Sequence, residues 1–358
     1  MFYREAGQYK TTYAADQSIF SVRQDRIGIA LILLVAFVGI PLFGSSFFLS
    51  TIMIPFLIFA LATIGLNILT GYAGQLSLGT GAFMGAGAYA CYKLTSYFPD
   101  ADIIVLVLAS GFVSAAIGVL FGIPSLRIKG FYLAVATLAA QFFLEWCFIR
   151  IPWLYNYNPS GAIEVPGRWG LSMMLTGPSA SPVARYLTVL GIVALMTWMA
   201  SNLVRGRIGR SWMMVRDMDI AAELMGIQLL RTKLLAFAVS SYYCGVARAM
   251  MIFFWLGAAE PSAFSITLSF QILFMVIIGG LGSLIGSFFG AAFIWILPVV
   301  IRSLPGWFGV SIGAETVEHL TLILVGSLIV LFLIVEPHGL ARLWQVARQK
   351  LRVWPFPY

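Results

Sequence analysis

Apolar runs long enough to cross a bilayer recur along this chain, and that recurrence fixes the fold class before anything else. A helix rises about 1.5 Å per residue, so roughly 20 apolar residues span the hydrocarbon. No water is available there to satisfy peptide groups, so each run must close its own hydrogen bonds as a helix. Spans are expected at 27–43, 48–69, 103–123, 131–149, 183–203, 234–256, 268–278, 284–304 and 320–335, with one more from a break near 71–81 to about 97. The expected fold is all-α, a polytopic transmembrane helical bundle of about ten spans with glycine-rich helix breaks. Residues 1–26 and 337–358 are read as tails and 27–336 as the membrane domain. Only 10% of the residues are charged, against about 25% in soluble domains. The first 26 residues are polar and carry both charge signs, unlike a signal peptide, so the first span should be retained.

One long connection cannot sit in lipid. The segment 204–233 holds nine charged residues: Arg205, Arg207, Arg210, Arg216, Arg231, Lys233, Asp217, Asp219 and Glu223. A short helix is expected over 211–226, stopped by Gly226, with Val215, Met218, Ala222 and Met225 on one stripe and Arg216, Asp219 and Glu223 on another. With ten spans, both termini fall on the side of this loop. Sixteen of the 22 Lys and Arg residues then lie on that side and four on the other, the bias that marks the cytoplasmic face. The net charge of +8 therefore reflects membrane orientation and does not point to nucleic acid.

Two glycine-rich interruptions share a rhythm, GYAGQLSLG and GGLGSLIGS. The expected breaks centre on Gly71, Gly74 and Gly79, and on Gly279, Gly280 and Gly282. Paired interruptions suggest a transport path at a repeat interface, and tight helix packing is the plainer alternative. This topology gives both breaks the same orientation, so it does not by itself show an inverted repeat. Asn67, Gln75, Ser77, Thr80 and Gln271 are the uncharged candidates for lining a path. Arg248 is the unexpected charge within a span. It either pairs with a carbonyl or a neighbouring helix, or lines a polar path and meets a carboxylate.

Catalytic patterns are missing from the sequence. There is no phosphate-cradling G-x-x-x-x-G-K-[ST], no H-E-x-x-H and no nucleophile elbow. His319 and His338 are isolated, and Cys91, Cys147 and Cys244 sit singly in apolar runs, without metal or disulfide spacing. Neither a catalytic residue nor a metal site is expected.

Five blocks in one order carry a resemblance: GLNILTGYAGQLSLGTGAF, PSLRIKGFYLAVATL, GRSWMMVRDMDIAAELMGIQLLRTKLLAFAVSS, ILFMVIIGGLGSLIGSFFGAAF and EPHGL. The chain resembles the M-type permease of branched-chain amino acid ABC importers over roughly 50–340. The resemblance implies a non-enzymatic permease in the bacterial inner membrane, paired with a second, H-type permease. It implies two cytoplasmic ATP-binding subunits, which hold ATP and Mg, and a periplasmic solute-binding protein. This chain would bind no cofactor of its own. Ala221, Ala222 and Gly226 match the A-A-x-x-x-G core by which such permeases engage their ATPases, with Arg216, Asp217, Asp219 and Glu223 around it. Ile220 stands where a glutamate often precedes those alanines, and Arg248 where a small residue is usual.

Relatives of similar sequence serve urea, short amides or aromatic acids. An ion-coupled secondary transporter is the reading from a different class. It predicts uptake by the chain alone. A single cysteine placed in 204–233 is expected to react with a membrane-impermeant thiol reagent only in inverted vesicles.

Overall fold

The structure is a computed structural model that describes residues 11–12, 23–125, 131–170, 173–177, 180–307, 314–335 and 339–353. Most of the 1–26 tail, the basic turn at 126–130, His338 and the last five residues lie outside the described residues. In chain order the first helices are α1 (Arg23–Leu34, continued by turns to Phe43), α2 (Ile54–Asn67), α3 (Thr80–Tyr97), α4 (Ile103–Ser125) and α5 (Phe131–Arg150). Next come α6 (Pro182–Arg205), α7 (Arg207–Asp217), α8 (Asp219–Leu224) and α9 (Leu229–Met250). The chain closes with α10 (Ile266–Gly279), α11 (Leu284–Trp307), α12 (Ala314–Val335) and α13 (Gly339–Val353).

Among the described residues, eight helical stretches are long and apolar enough to cross a membrane: Arg26–Phe43, Phe48–Tyr72, Ile103–Pro124, Tyr132–Arg150, Pro182–Arg205, Leu229–Leu256, Pro261–Gly279 and Leu284–Ile301. The other two expected runs, in α3 and α12, are helical as well. Helix α3 is built largely of glycine, alanine and polar residues and is buried over most of its length. It meets other helices more than lipid, so it does not need the leucine-rich surface of its neighbours.

Helix α2 is apolar all round and is buried at every position except Phe56, the pattern of a helix enclosed by others. Beside it lies α9, whose second half is also buried and which packs on α2, α3 and α4. Small residues allow that approach. A Cβ on Gly87 of α3 would collide with the backbone of Gly245 in α9, and the Ser114 hydroxyl of α4 donates to the Phe83 carbonyl at 2.7 Å. Lipid tails are as apolar as leucine, so such close backbone contact, more than apolar burial, holds membrane helices together.

Helix α6 runs the length of the bundle between the loop at 151–181 and the charged segment that starts at 206. The long loop folds onto its own chain. Strand β1 (Ile163–Glu164) pairs antiparallel with Ala258–Ala259 after α9, and Trp169–Gly170 pairs with Met173–Met174. Arg168 donates to the carbonyls of Thr95 and Pro99, the open acceptors at the end of α3. Lys93 bonds the Asn156 side chain and lies 4.4 Å from the centre of the Trp153 ring. The loop is thus clamped to the bundle by cations from both partners.

Gly87→Val should cost about 1–3 kcal/mol through overpacking at the α3–α9 crossing, whereas Ser114→Ala should cost about 0.6 kcal/mol, as single interhelical hydrogen bonds do. Unfolding of the purified protein in detergent measures both.

Candidate functional site

Helix α2 does not stop cleanly. It loosens into a π-helical turn, Ile68–Tyr72, and the chain then leaves helical geometry over 73–79 before α3 begins. Peptide groups freed inside a bundle need partners, and most can be traced. The Gln75 N–H donates to the Leu69 carbonyl at 3.0 Å, the Leu78 N–H to Thr137 Oγ1 at 3.0 Å, and the Gly79 N–H to Ser77 Oγ at 3.3 Å. The first turn of α3 is capped from other helices: Gly81 N–H donates to Ser269 Oγ and Ala82 N–H to Gln141 Oε1, both at 2.7 Å.

The second break joins α10 to α11 through Gly280 and Gly282, whose φ values of +116° and +75° suit glycine. Near them, a Cβ on Gly279 would strike the Gly286 carbonyl, and one on Gly290 would strike that of Met275. These glycines let α10 and α11 lie backbone to backbone.

The two breaks touch. Asn67, fully buried at the end of α2, accepts from the Gly282 N–H at 2.9 Å. Its amide nitrogen donates to the Ser283 carbonyl and the Ser287 hydroxyl at 2.9 Å each, with the Gly280 carbonyl at 3.4 Å. A side chain on Gly71 would overlap both Asn67 Oδ1 and the Gly282 nitrogen. Asn67 therefore reads the second break through its backbone, and Gly71 leaves room for it to do so.

The charged connection reaches this junction. Arg216, in the last turn of α7, donates from Nη1 to the Gly71 carbonyl at 2.7 Å, and its stem packs on Gly74. Its Nε holds Asp217 at 2.8 Å in a largely exposed ion pair, a contact worth about 0–1 kcal/mol. Trp212 anchors the same helix, fully buried with its indole N–H on the Thr232 carbonyl at 3.0 Å.

The helix expected over 211–226 is two helices, α7 and α8. Met218 between them is extended, with φ −153° and ψ 93°. The single stripe expected on it does not form either. Val215 and Ala222 are buried against this chain, while Met218, Ile220, Leu224 and Met225 are exposed. The bend at Met218 turns the two helices differently, so one helical period across both no longer describes a face. Ala221 and Asp219 are half-buried and Glu223 is exposed. Gly226 ends α8 at φ +87°, with its N–H on the Glu223 carbonyl at 2.9 Å.

Of the residues picked out for a path, Asn67, Gln75, Ser77 and Thr80 lie buried in or beside the first break. Gln271 is half-buried on α10. Arg248 is buried near the opposite end of α9, apart from the clasp. Sequence reasoning overlooked Ser283 and Ser287, Thr137 and Gln141, and Ser265 and Ser269. Each is a pair of polar residues four apart in or beside an apolar run, which puts both on one helix face. That spacing could have flagged them.

The family described as the permease component of branched-chain amino acid transport systems matches residues 48–333, a stretch that includes both breaks and the charged connection. The chain belongs to this family. The high-affinity branched-chain amino acid transport system permease protein LivM of Salmonella typhimurium is 32% identical over 307 residues, 79% of this chain and 68% of that protein. LivM of Escherichia coli is 31% identical over 307 residues, with the same coverage of both chains. No solved structure matches. Family permeases are transport subunits embedded in the membrane, so the clasp and the arginine that reaches it belong to a transport protein.

Asn67→Ala should destabilise the permease by about 1–3 kcal/mol, because the Gly282 N–H loses its acceptor and the Ser283 carbonyl and the buried Ser287 hydroxyl lose a donor. Ser77→Ala should cost less than about 1 kcal/mol, since it removes one local bond at Gly79. Thermal unfolding in detergent distinguishes the two.

Proposed function

We propose that this chain is the transmembrane permease subunit of an ATP-driven importer of branched-chain or other hydrophobic amino acids in the bacterial inner membrane. Residues 204–233 face the cytoplasm and are gripped by separate ATP-binding subunits. A second permease subunit and a periplasmic binding protein complete the machine. The observation that carries this reading is the Arg216 hydrogen bond to Gly71. The same helical connection carries four exposed apolar side chains, Met218, Ile220, Leu224 and Met225, at its far end. A motor seated on those side chains would pull on α7 and α8, and Arg216 would pass the displacement to both helix breaks.

In this mechanism the breaks are the bending points. Segment 73–79 is held by scattered single bonds to backbone and side chains and not by a helical ladder, so it can change course without unwinding α2 or α3. Asn67 keeps the two breaks in step. Glu223 and Asp217, both exposed, fix the register of the docked motor at its rim. The two LivM relatives are named as permeases of branched-chain amino acid transport systems, and that substrate class is carried to this chain.

The test is uptake of radiolabelled leucine into proteoliposomes. Uptake should require the ATP-binding subunits and ATP, and should be absent with this chain alone under a proton or sodium gradient. Uphill uptake by the isolated chain would establish the secondary-transporter reading instead. Within the assembled complex, Gly226→Val should separate ATP hydrolysis from uptake, because a β-branched residue opposes φ +87°. Gly226→Asn, which tolerates that conformation, should keep most uptake. Within this chain nothing lies within 4 Å of a Cβ at this position, and Gly226→Asn separates a backbone defect from a clash with the docked subunit.

A further inference from the structure

Arg248 is a full positive charge in the interior of a membrane protein. It is 2% exposed and has no acidic partner among the described residues. Its Nη2 donates to the Ala263 carbonyl and its Nη1 meets Met251 Sδ, each at 2.7 Å, while its Nε has no partner. The guanidinium carbon lies 4.9 Å from the centre of the Phe264 ring. One carbonyl, one thioether and one ring face are poor exchange for the hydration that a cation loses on burial. Glu260, the nearest acid in sequence, is exposed and forms no ion pair with it.

The surroundings favour an anion twice over. The short turn Pro261–Phe264 lies over Arg248, and Phe264 is wedged among other elements: Tyr89 of α3 at 5.3 Å and Phe148 of α5 at 5.7 Å between ring centres. The Phe264 carbonyl accepts from Gln141 Nε2 at 2.7 Å, and Oε1 of the same side chain caps the first turn of α3. The positive end of a helix dipole therefore flanks the turn on one side and a guanidinium on the other. Tyr89, which stacks on Phe148 and meets Phe264 at a tilt, has a buried hydroxyl without a partner. An idle Nε–H, an unused hydroxyl and an apolar ring wall are a recognition set for a carboxylate attached to an apolar group.

We infer that the Nε–Nη2 edge of Arg248 receives the carboxylate of the transported solute, and that the Pro261–Phe264 turn covers this edge in the conformation described here. These two nitrogens share one edge of the planar guanidinium, the geometry that takes both oxygens of a carboxylate. One of them is idle and the other is held by a backbone carbonyl on a short turn. Displacing the turn frees Nη2 and moves the Phe264 ring, so entry of the ligand and opening of the cover are one event. The apolar part of the solute then lies on Tyr89 and Phe148. The inference rests on the transport reading above and adds which end of the solute is recognised, and by which residue.

The experiment is a thermal-unfolding titration of the detergent-purified protein with its co-purifying subunits, using L-leucine, 4-methylpentanoate and L-leucinamide. The two carboxylates should raise the melting temperature and leucinamide should not. Arg248→Met should abolish the rise, and Arg248→Lys should keep part of it. In proteoliposomes, Arg248→Met should raise the KM for leucine at least about tenfold, as expected when a buried charge contact is lost. The inference is overturned if neither carboxylate stabilises the unmodified protein, or if Arg248→Met responds as the unmodified protein does. Ligand-induced stabilisation needs no ATP and would persist if the importer reading failed. ATP-driven uptake with an unaltered KM in Arg248→Met would instead leave that reading intact and remove this one.

Discussion

The Asn67 side chain is the contact on which the architecture of this permease turns. A primary amide has two donor hydrogens and an acceptor oxygen, and in a bundle without water all must be used inside the protein. Here they bind the backbone and one hydroxyl of a turn more than two hundred residues away in sequence. That choice forces other features into place. Gly71 must lack a side chain, Gly282 must present its N–H, and Ser287 must lie one helical turn beyond Ser283. Interhelical hydrogen bonds in membranes average only about 0.6 kcal/mol each. Several converging on one rigid group specify a register more sharply than their summed energy suggests.

The charged connection gains meaning from the same junction. Read by periodicity alone, it is one amphipathic helix with an apolar face turned outward. In the fold, Val215, Ala222 and Trp212 face inward and anchor it, and the exposed apolar residues follow the bend at Met218. The half before the bend carries Arg216 to the first break, and the half beyond it, held through Ala222, presents its other apolar side chains outward. An element fastened at one end and exposed at the other suits the transfer of displacement between a soluble protein and a membrane path.

Much of this was legible in the sequence, for definable reasons. Apolar runs of bilayer length announce helices, because a lipid environment allows the backbone no alternative. Glycine clusters announce interruptions, because a φ of +75° or a backbone in van der Waals contact excludes other residues. Gly226 as a helix stop was readable on the same grounds. What local pattern could not show was pairing at long range. Nothing in GYAGQLSLG says that Gly71 will lie against Gly282, and nothing in a lone arginine says that Arg216 will reach a carbonyl of another helix. The bend at Met218 escaped as well, since an extended methionine between two helix-forming stretches leaves no compositional mark. Polar pairs four residues apart, such as Thr137 with Gln141, are visible in the sequence, but their spacing does not say which backbone group each side chain will meet.

The start of α13 adds a temporal consequence. Gly339, at φ +71°, sits so close to the second break that a methyl group there would come within 2.7 Å of the Gly280 nitrogen and the Ile278 carbonyl. Ribosomes deliver position 280 well before position 339, with α11 and α12 in between. During that interval one flank of the turn between α10 and α11 is bare. The segment synthesised late is thus the wedge that completes the joint, and the second break takes its finished shape only once Gly339 has been made.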